Sequence, residues 1–239
     1  MLILIWLKIV CFYNWKDVMS KLFIVATPIG NLGDISLRAL DTLKDVDYIA
    51  CEDSRVTRKL LNHFNITNKK LLVHHNFNER NSAQGIIKLL AQGFKVALVS
   101  DAGMPTIADP GYNLINHAIS QQIPLQVIPG PSAVIVANVL ANFGNEFTFI
   151  GFLKDKSGQR INQLKALHPG VHVAFVSPYK LIKSLDDLQT VYGSNIEVFL
   201  GKELTKMYEH QYRGMIKDII NEFKTKQIKG EYTIVFKVK

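Results

Sequence analysis

The chain has 239 residues, of which 48% are hydrophobic and 20% are charged, a balance typical of a folded, soluble protein with one large or two small domains. Its two cysteines, Cys11 and Cys51, exclude a disulfide framework and show no zinc-site spacing, which fits a cytoplasmic protein. The formal net charge of +8 suits a polyanionic partner such as RNA, although many enzymes that act on small molecules are equally basic.

Residues 1–18 differ in character from the rest of the chain. They are dense in Leu, Ile, Trp and Phe and contain no turn motif. The run from residue 2 to residue 10 is interrupted by Lys8 and is too short to span a bilayer. The segment also lacks the basic lead-in and the small-residue cleavage site of a signal peptide. We therefore interpret Met19-Ser20-Lys21 as the start of the folded protein and residues 1–18 as an upstream-start leader outside the fold.

The first predicted element is a buried strand at Leu22–Val25, which is apolar and β-branched and is followed by a Pro and a Gly. The stretch PIGNLG at 28–33 predicts a turn, after which Asp34 or Ser36 can cap a helix. Because glycine lets a backbone approach a ligand closely, this turn is a candidate ligand-facing edge. Its spacing matches neither GxGxxG nor GxxxxGK[ST], so a dinucleotide or a nucleoside triphosphate is not the expected ligand.

From Lys21 onward, apolar runs alternate with helical periodicity. Strands are predicted at Leu22–Ala26, Val46–Ala50, Leu71–His74, Lys95–Ser100 and Leu125–Ile128. Helices are predicted between and after them, at Ser36–Leu43, Arg55–Phe64, Glu79–Gln92, Tyr112–Gln121 and Ser132–Leu140. This order predicts a mainly parallel sheet with helices on both faces.

A second alternation follows the turn residues ANFGN at 141–145. Its strands are predicted at Phe147–Phe152, Val171–Val176, Ile196–Leu200 and Tyr232–Val238, and its helices at Gln159–Ala166, Leu181–Tyr192 and Met215–Lys224. The sequence therefore predicts an α/β fold with two α/β domains, residues 19–143 and 144–239, and a ligand cleft between them.

Three further loops of the first domain each follow a predicted strand: Cys51–Arg58, Ser100–Gly111 and Pro129–Ala133. Their small residues, carboxylates and hydroxyls can surround an adenosyl and an amino-acid moiety. Asp101 can hold a ribose or an ammonium group, and Ser132 opens a helix whose N–H groups attract a carboxylate. Ordinary turn and capping chemistry accounts for both residues as well.

The pair His74-His75, with Glu79 beyond it, raises the question of a metal site. Adjacent strand residues point to opposite faces and no third ligand is suitably spaced, so we expect no metal there. A second hypothesis is that His74, Asn76 and Phe77 contact an unpaired base, as in the recognition of single-stranded RNA. The simpler interpretation is a polar loop with a buried aromatic side chain.

Five segments in order, ATPIGNLGDISLRAL, EDSRVTRKLL, ALVSDAGMPTIADPGY, VIPGPSA and GKELTK, carry a specific resemblance. They resemble the small-subunit ribosomal RNA (cytidine-2′-O)-methyltransferases of the tetrapyrrole methylase superfamily, roughly from Lys21 to Val238. The resemblance implies a two-domain α/β fold, S-adenosylmethionine as methyl donor and a homodimer. It also implies methylation of a cytidine ribose in the decoding region of 16S rRNA, with the small ribosomal subunit as partner.

The resemblance also implies site residues. The methyl donor would be bound by Pro28, Gly30, Asp101, Met104, Ser132 and Ala133, with a contribution near Phe175-Val176 or Glu203-Leu204. A ribose hydroxyl is a poor nucleophile until its proton is removed or polarised, and Glu52, Asp53, Glu203 and Lys206 are candidates for that task. The alternative for Arg55, Arg58 and Lys206 is to hold the flanking phosphates. The candidate catalytic residues are Asp53, Arg55, Glu203 and Lys206, with Asp53 and Arg55 in an RNA-facing wall. A helix N-cap for Asp53 and an exposed helix face for Arg55 are the structural alternatives.

The chain departs from the family pattern in two places. The family commonly has Tyr-Glu-Ser-Pro-His-Arg where this chain has FVSPYK at 175–180, and it often has several arginines where this chain has Lys154, Lys156 and the single Arg160. Loss of these groups would weaken RNA binding or alter substrate positioning. Two other functions stay open: methylation of a porphyrin or corrin precursor, and an RNA-binding module without catalysis, suggested by Val176, Tyr179 and Lys180.

Overall fold

The computed structural model describes residues 20–239, so the predicted leader at 1–18 lies outside the described residues. The chain forms two compact units that are interleaved along the sequence. Of the described residues, the first unit contains 20–25, 40–99 and 110–128, and the second contains 26–39, 100–109 and 129–239. The two domains predicted with one boundary after residue 143 stay a prediction.

The first unit contains a five-stranded sheet in which every described pairing is parallel. The strands are β1 Lys21–Val25, β2 Tyr48–Cys51, β3 Lys70–Val73, β4 Lys95–Val99 and β5 Leu125–Ile128, in the order β3-β2-β4-β1-β5. The helices in this part of the chain are α1 Leu37–Asp45, α2 Ser54–His63, α3 Glu79–Ala91 and α4 Tyr112–Ser120. The predicted parallel sheet is confirmed.

Burial explains the near-continuous apolar sequence of the central strands. In β1 the residues Leu22–Val25 are all buried, and in β4 the residues Val96–Val99 are all buried. Helices α3 and α4 pack on this sheet through an apolar cluster. The cluster contains Ala83, Ile86, Ile87 and Leu90 of α3, Leu114 and Ala118 of α4, and Leu22, Ala50, Val96 and Leu98 of the sheet. Strands covered in this way lose the alternation that marks a half-exposed sheet.

The second unit contains a mixed five-stranded sheet in the order β6-β7-β10-β8-β9. Its elements are α5 Ala133–Ala141, β6 Phe147–Phe152, α6 Ser157–Lys165, β7 Gly170–Val176, α7 Leu181–Tyr192, β8 Glu197–Lys202, β9 His210–Met215, α8 Ile216–Phe223 and β10 Tyr232–Val238. Strands β6 and β7 are parallel, and the other pairings are antiparallel. Short 3-10 helices lie at Leu32–Asp34 and Pro178–Lys180.

The two faces of this second sheet carry separate apolar clusters. Alternate residues of β7 face opposite ways, so Val173 packs against α5, whereas Ala174 belongs to the cluster formed with α6, α7 and α8. Helix α5 contributes Val134, Ala137 and Ala141 to its side of the sheet. Within residues 20–239, none of the helices has both the length and the apolar character needed to cross a membrane.

Most predicted elements are found with ends shifted by one or two residues, but strand β9 at His210–Met215 was missed. Only Tyr212 of this strand is buried, and β9 lies at the edge of the sheet. Its sequence, HQYRGM, is mostly polar and shows too little hydrophobic alternation to be recognised as a strand.

Candidate functional site

A cavity of about 350 Å³ lies within the second unit, inside the size range of about 300–1,000 Å³ that is common for small-molecule sites. Its apolar lining is formed by Ile29, Met104, Ile107, Phe152, Phe175, Val176 and Leu204. Polar side chains on the lining belong to Asp109, Ser132, Ser177, Glu231 and Thr233. A mostly apolar cavity with a few polar groups is the usual form of a site for an organic ligand.

Three neighbouring strands contribute residues to this lining at one register position. Thr233 of β10 pairs with Phe175 of β7 on one side and with Gly201 of β8 on the other. All three residues line the cavity. A Cβ added at Gly201 would lie 2.8 Å from Cδ2 of Leu204, so the Leu204 side chain packs on this glycine. The short side chain of Thr233 leaves space above the sheet beside the ring of Phe175.

Backbone hydrogen bonds join two of the loops that line the cavity. Thr27 and Gly103 exchange N–H···O bonds of 2.9 and 3.1 Å, and the Thr27 hydroxyl donates to the carbonyl of Ser100 at 3.1 Å. Gly103 has a φ of +83°, a conformation that favours glycine. A third loop packs on the first, because a Cβ added at Gly130 would lie 2.8 Å from the Cβ of Ala26. These contacts fix the loops predicted to bind the methyl donor.

Four non-glycine residues beside the cavity have left-handed backbone conformations. Thr106 and Ala108 have φ values of 72° and 68°, and Glu203 and Thr205 have φ values of 50° and 66°. This conformation is costly for side chains with a Cβ, and especially for a β-branched residue such as Thr. Such strain is concentrated at ligand sites in many proteins, which supports the cavity as a functional site.

An ion-pair cluster adjoins the cavity. The Nζ of Lys206 lies 3.1 Å from Glu203 Oε1 and 2.9 Å from Glu231 Oε2, and Glu203 also accepts the backbone N–H of Glu231 at 2.7 Å. Burial disfavours the Lys206 cation, but its hydrogen bonds to Glu231 and Glu203 outweigh burial and raise its pKa. Burial disfavours the Glu203 carboxylate, but the Glu231 N–H and Lys206 lower its pKa. At neutral pH the cluster holds one cation between two carboxylates.

Replacement of Lys206 by methionine is expected to make stability depend on pH. Because its pKa is raised on folding, Lys206 stabilises the fold at pH values below its unfolded pKa of 10.5. Because its pKa is lowered on folding, Glu203 stabilises the fold above its unfolded pKa of 4.5. The stabilisation from the two groups in the wild-type protein is therefore constant between these pH values. Without the cation, Glu203 and Glu231 repel each other when ionised. We expect a loss of about 1 kcal/mol in unfolding free energy at pH 7 that shrinks toward pH 4. Thermal melting between pH 4 and pH 7 measures this loss of stability. Lys206→Arg is the control, because it keeps the positive charge. An equal loss at pH 4 and pH 7 would contradict the prediction.

The structure places all six predicted donor-binding residues in the second unit. Met104, Ser132 and Ala133 line the cavity directly, whereas Asp101 precedes the lining residue Ala102. Pro28 and Gly30 flank the lining residue Ile29. A Cβ at Gly30 would lie 2.2 Å from Cγ of Lys206, so the Lys206 side chain packs on this glycine. The hydroxyl of Ser132, the N-cap of α5, makes no capping hydrogen bond.

The predicted residues Asp53 and Arg55 lie together in the first unit. Asp53 is the N-cap of α2 and accepts the Arg55 backbone N–H at 2.8 Å, and its carboxylate pairs with the Arg55 guanidinium at 2.6 Å. Hydrogen bonds from the Arg55 side chain and backbone lower the pKa of Asp53 to about 2. The Arg55 side chain is 86% exposed. Asp53 is therefore ionised at neutral pH and is a weak base, whereas Arg55 presents its guanidinium to solvent.

The residues around His74 are used to join structural elements. His74 is buried and its Nδ1 lies 2.7 Å from the Ser82 hydroxyl, and burial lowers its pKa. Glu79 accepts the backbone N–H groups of Gly111 and Asn113 at 2.9 and 3.1 Å. Among the described residues no group of three His, Cys, Asp or Glu is placed to hold a metal ion.

Arg160 cannot contact RNA, because its side chain is fully buried in the second unit. Its guanidinium lies 2.6 Å from Asp187, and it donates to the backbone carbonyls of Lys154 and Asp155 at 2.6 and 3.1 Å. The neighbouring Lys154 and Lys156 are exposed. In the other departure from the family pattern, FVSPYK at 175–180, Val176 is buried and Tyr179 is 92% exposed.

Sequence reasoning missed Phe152, Glu231 and Thr233 as cavity residues, whereas Gly201 opens the GKELTK segment that the sequence analysis quoted. The three missed residues belong to strands or strand ends of the second sheet that are distant in sequence, and no local motif distinguishes them from core residues. The pair Gly230-Glu231, directly before the last strand, was the one sequence feature that could have indicated a cavity residue here.

The sequence of the chain matches the model of a known protein family. The family model described as Tetrapyrrole (Corrin/Porphyrin) Methylases matches residues 21–220, which is most of the chain. The chain belongs to this family. The loops that meet at the cavity lie within the matched range, while Glu231 and Thr233 lie just beyond it.

Two similar proteins are both named Ribosomal RNA small subunit methyltransferase I. The protein of Mycoplasmopsis pulmonis is 53% identical over 222 residues, covering 92% of this chain and 99% of that protein. The protein of Thermotoga maritima is 45% identical over 222 residues, covering 91% of this chain and 98% of that protein.

Solved structures show the same fold at low sequence identity. A cobalt precorrin-4 methyltransferase has a TM-score of 0.67 at 15% identity, covering 95% of this chain and 98% of that chain. A diphthine synthase also has a TM-score of 0.67, at 14% identity, covering 92% of this chain and 90% of that chain. At this identity the likeness establishes the α/β fold of the tetrapyrrole methylase family and nothing about the substrate.

Proposed function

We propose that this chain is an S-adenosylmethionine-dependent methyltransferase that methylates the ribose 2′-hydroxyl of a cytidine in the decoding region of 16S rRNA. The observation that carries the proposal is the 53% identity to a protein named Ribosomal RNA small subunit methyltransferase I, which covers 99% of that protein. The cavity supports it, because the loops expected to bind the methyl donor are joined there by backbone hydrogen bonds.

The residues of the cavity fit such a donor. The rings of Phe152 and Phe175, with centroids 5.3 Å apart, offer apolar contact to an adenine. The cluster of Glu203, Lys206 and Glu231 has a net negative charge, which suits a ligand that carries positive charge. The first turn of α5, with Ser132 as N-cap, offers N–H groups to a carboxylate. When bound, S-adenosylmethionine supplies an electrophilic methyl group on a positively charged sulfonium.

The accepting hydroxyl must lose its proton, and the four candidate residues are poorly suited to take it at neutral pH. Asp53 has a pKa of about 2, Lys206 is held as a cation and Glu203 is engaged by two donors. An efficient general base has a pKa near the working pH. We infer that the methyl group passes to the ribose oxygen as its bond to sulfur breaks, and that the hydroxyl proton passes to solvent water. The rate then depends mainly on positioning the ribose beside the methyl group, which can supply about 7–11 kcal/mol. In this proposal Glu203 and Lys206 shape the donor site, and Arg55 contacts the RNA backbone.

The testing experiment is methyl transfer from labelled S-adenosylmethionine to small ribosomal subunits that lack the modification. The expected result is label in a cytidine ribose of 16S rRNA, lost in Asp101→Ala. A precorrin-type tetrapyrrole serves as the parallel substrate. Label in the tetrapyrrole alone would overturn the proposal, and RNA binding without label in either substrate would indicate a binding module.

We also propose that the protein is a cytoplasmic homodimer. Helix α5 is apolar on both sides: Val134 and Ala137 are buried against the second sheet, whereas Ile135 and Val139 are 52% and 70% exposed. An apolar outer helix face of this kind favours burial in an assembly. Sedimentation equilibrium of the purified protein tests the assembly, and a monomer at all concentrations would contradict it.

A further inference from the structure

Two aromatic side chains of the first unit extend into solvent. Phe77 is 99% exposed and Tyr112 is 70% exposed. The expectation of a buried aromatic in the loop after β3 was therefore wrong. Exposure of a whole phenyl ring costs hydrophobic free energy, so it needs a structural or functional reason.

The turn that carries Phe77 is held by hydrogen bonds at both of its ends. Asn78 accepts the backbone N–H of His75 at 2.9 Å, and its side-chain amide donates to the carbonyl of Val73 at 3.1 Å. Ser82 donates to the carbonyl of Asn78 at 2.9 Å. The ring of His75 packs edge-on to that of Phe77, with centroids 5.9 Å apart and planes at 73°. The fold thus presents the Phe77 ring from a fixed backbone.

Glu79 joins this turn to the second aromatic residue. Its Oε1 accepts the N–H groups of Gly111 and Asn113 at 2.9 and 3.1 Å, and its Oε2 accepts the Asn113 side-chain amide at 2.7 Å. Tyr112 lies between these two residues, and Phe77 precedes Glu79 by two residues. The two aromatics therefore lie at the same end of the packed helices α3 and α4.

Exposed arginines belong to the segments next to this pair. Strand β3 pairs with β2, and the N–H of His74 donates to the carbonyl of Cys51 at 2.8 Å, so the Phe77 turn adjoins the loop that leads to Arg55. The side chains of Arg55, Arg58 and Arg80 are exposed in this unit. The carboxylates of Asp53 and Glu79 are already engaged in hydrogen bonds. Exposed aromatic rings can stack on unpaired bases, and arginines can contact phosphates. This combination suits a single-stranded nucleic acid better than an apolar protein surface.

We propose that Phe77 and Tyr112 form a stacking platform for unpaired nucleotides of the RNA substrate. The inference rests on the proposed function and adds to it the form of the substrate. In this proposal the bases beside the target cytidine are unpaired and stack on the two rings. Nearby arginines contact the phosphates of the same strand. Ring contact is sequence-tolerant, so the platform positions the strand and does not select the cytidine.

The test uses the full-length protein and a single-stranded, cytidine-containing RNA of about ten nucleotides, with a duplex of equal length as comparison. Fluorescence anisotropy measures binding of Phe77→Ala, Tyr112→Ala and the double variant. We expect single-strand affinity to fall about tenfold for each ring removed, with little change for the duplex. Phe77→Trp retains a stacking surface, so we expect near wild-type affinity and an indole fluorescence that is quenched by the RNA.

Exposed rings contribute little to folding, so the melting temperature should not change. Ile119→Ala is the matched control, because Ile119 is 58% exposed on the same helix as Tyr112. In methyl transfer to small subunits, the double variant should raise KM for the subunit while kcat and the affinity for S-adenosylmethionine are retained.

The outcomes separate the platform from the proposed function. If the wild-type protein methylates rRNA and the double variant binds and methylates equally well, the platform is wrong and the proposed function stands. If the wild-type protein binds RNA without methylating it and the double variant loses binding, the platform stands alone. If the wild-type protein neither binds nor methylates RNA, both are wrong. A double variant that dissociates a dimer with RNA binding intact would identify a second copy of this chain as the occupant and overturn the platform.

Discussion

Thr233→Phe is expected to abolish binding of the methyl donor while the protein stays folded. Thr233 lies between Phe175 and Gly201 in the sheet, and all three line the cavity. A phenyl ring at this position is compatible with a β-strand and has the cavity to enter, so the fold is retained. The phenyl ring would fill space that the methyl donor occupies. We expect the affinity for the donor to fall roughly a hundredfold, which corresponds to about 2.8 kcal/mol of binding free energy.

Isothermal titration of S-adenosylmethionine measures this loss, and circular dichroism confirms folding. Thr233→Val is the matched control, since it keeps the shape and removes only the hydroxyl. One lost hydrogen bond corresponds to about 0.5–1.5 kcal/mol, so this control should change affinity less than about tenfold. Wild-type affinity in Thr233→Phe would show that the donor binds elsewhere.

Arg160→Ala is expected to cause the largest loss of stability. Its side chain is fully buried, Asp187 is 13% exposed, and the guanidinium also donates to the carbonyls of Lys154 and Asp155. Removing Arg160 leaves the largely covered Asp187 carboxylate with the Ser157 hydroxyl as its donor, at 2.8 Å, and leaves two carbonyls without theirs. Such losses destabilise proteins by about 3–5 kcal/mol.

Urea unfolding measures the free energy for Arg160→Ala, and the double variant Arg160→Met with Asp187→Leu is the control. Replacing both charges with apolar side chains removes the unpaired carboxylate, so the double variant should recover most of the lost stability. A loss below about 1 kcal/mol for Arg160→Ala would mean that water reaches the Asp187 carboxylate. Methyl transfer measured below the unfolding transition should be retained, because Arg160 does not reach the surface.

Apolar runs and turn residues predicted the fold class because both are local features of the sequence. The strands Leu125–Ile128, Phe147–Phe152 and Tyr232–Val238 were predicted with their observed bounds. Each is an apolar run limited by turn residues, which is the strongest local signal for a strand. Strand β9 was missed because its sequence, HQYRGM, contains few apolar side chains.

The donor site was predicted in part, since glycine-rich loops after strands are visible in the sequence. Met104, Ser132 and Ala133 were named from those loops and line the cavity. Glu231 could not be named, because its contact with Lys206 joins residues 25 apart in sequence. The burial of Arg160 could not be predicted, because the sequence shows the charge of a residue but not its burial.

The sequence by itself determined the alternation of strands and helices, the apolar faces that pack, and the family. Only the tertiary structure decided that Phe175, Thr233 and Gly201 share one register position, that Arg160 is internal and that Phe77 is exposed. The physical reason is that backbone periodicity is a local property recorded residue by residue. Register, burial of a charge and convergence of loops depend on contacts between distant segments, which form only when the whole chain packs.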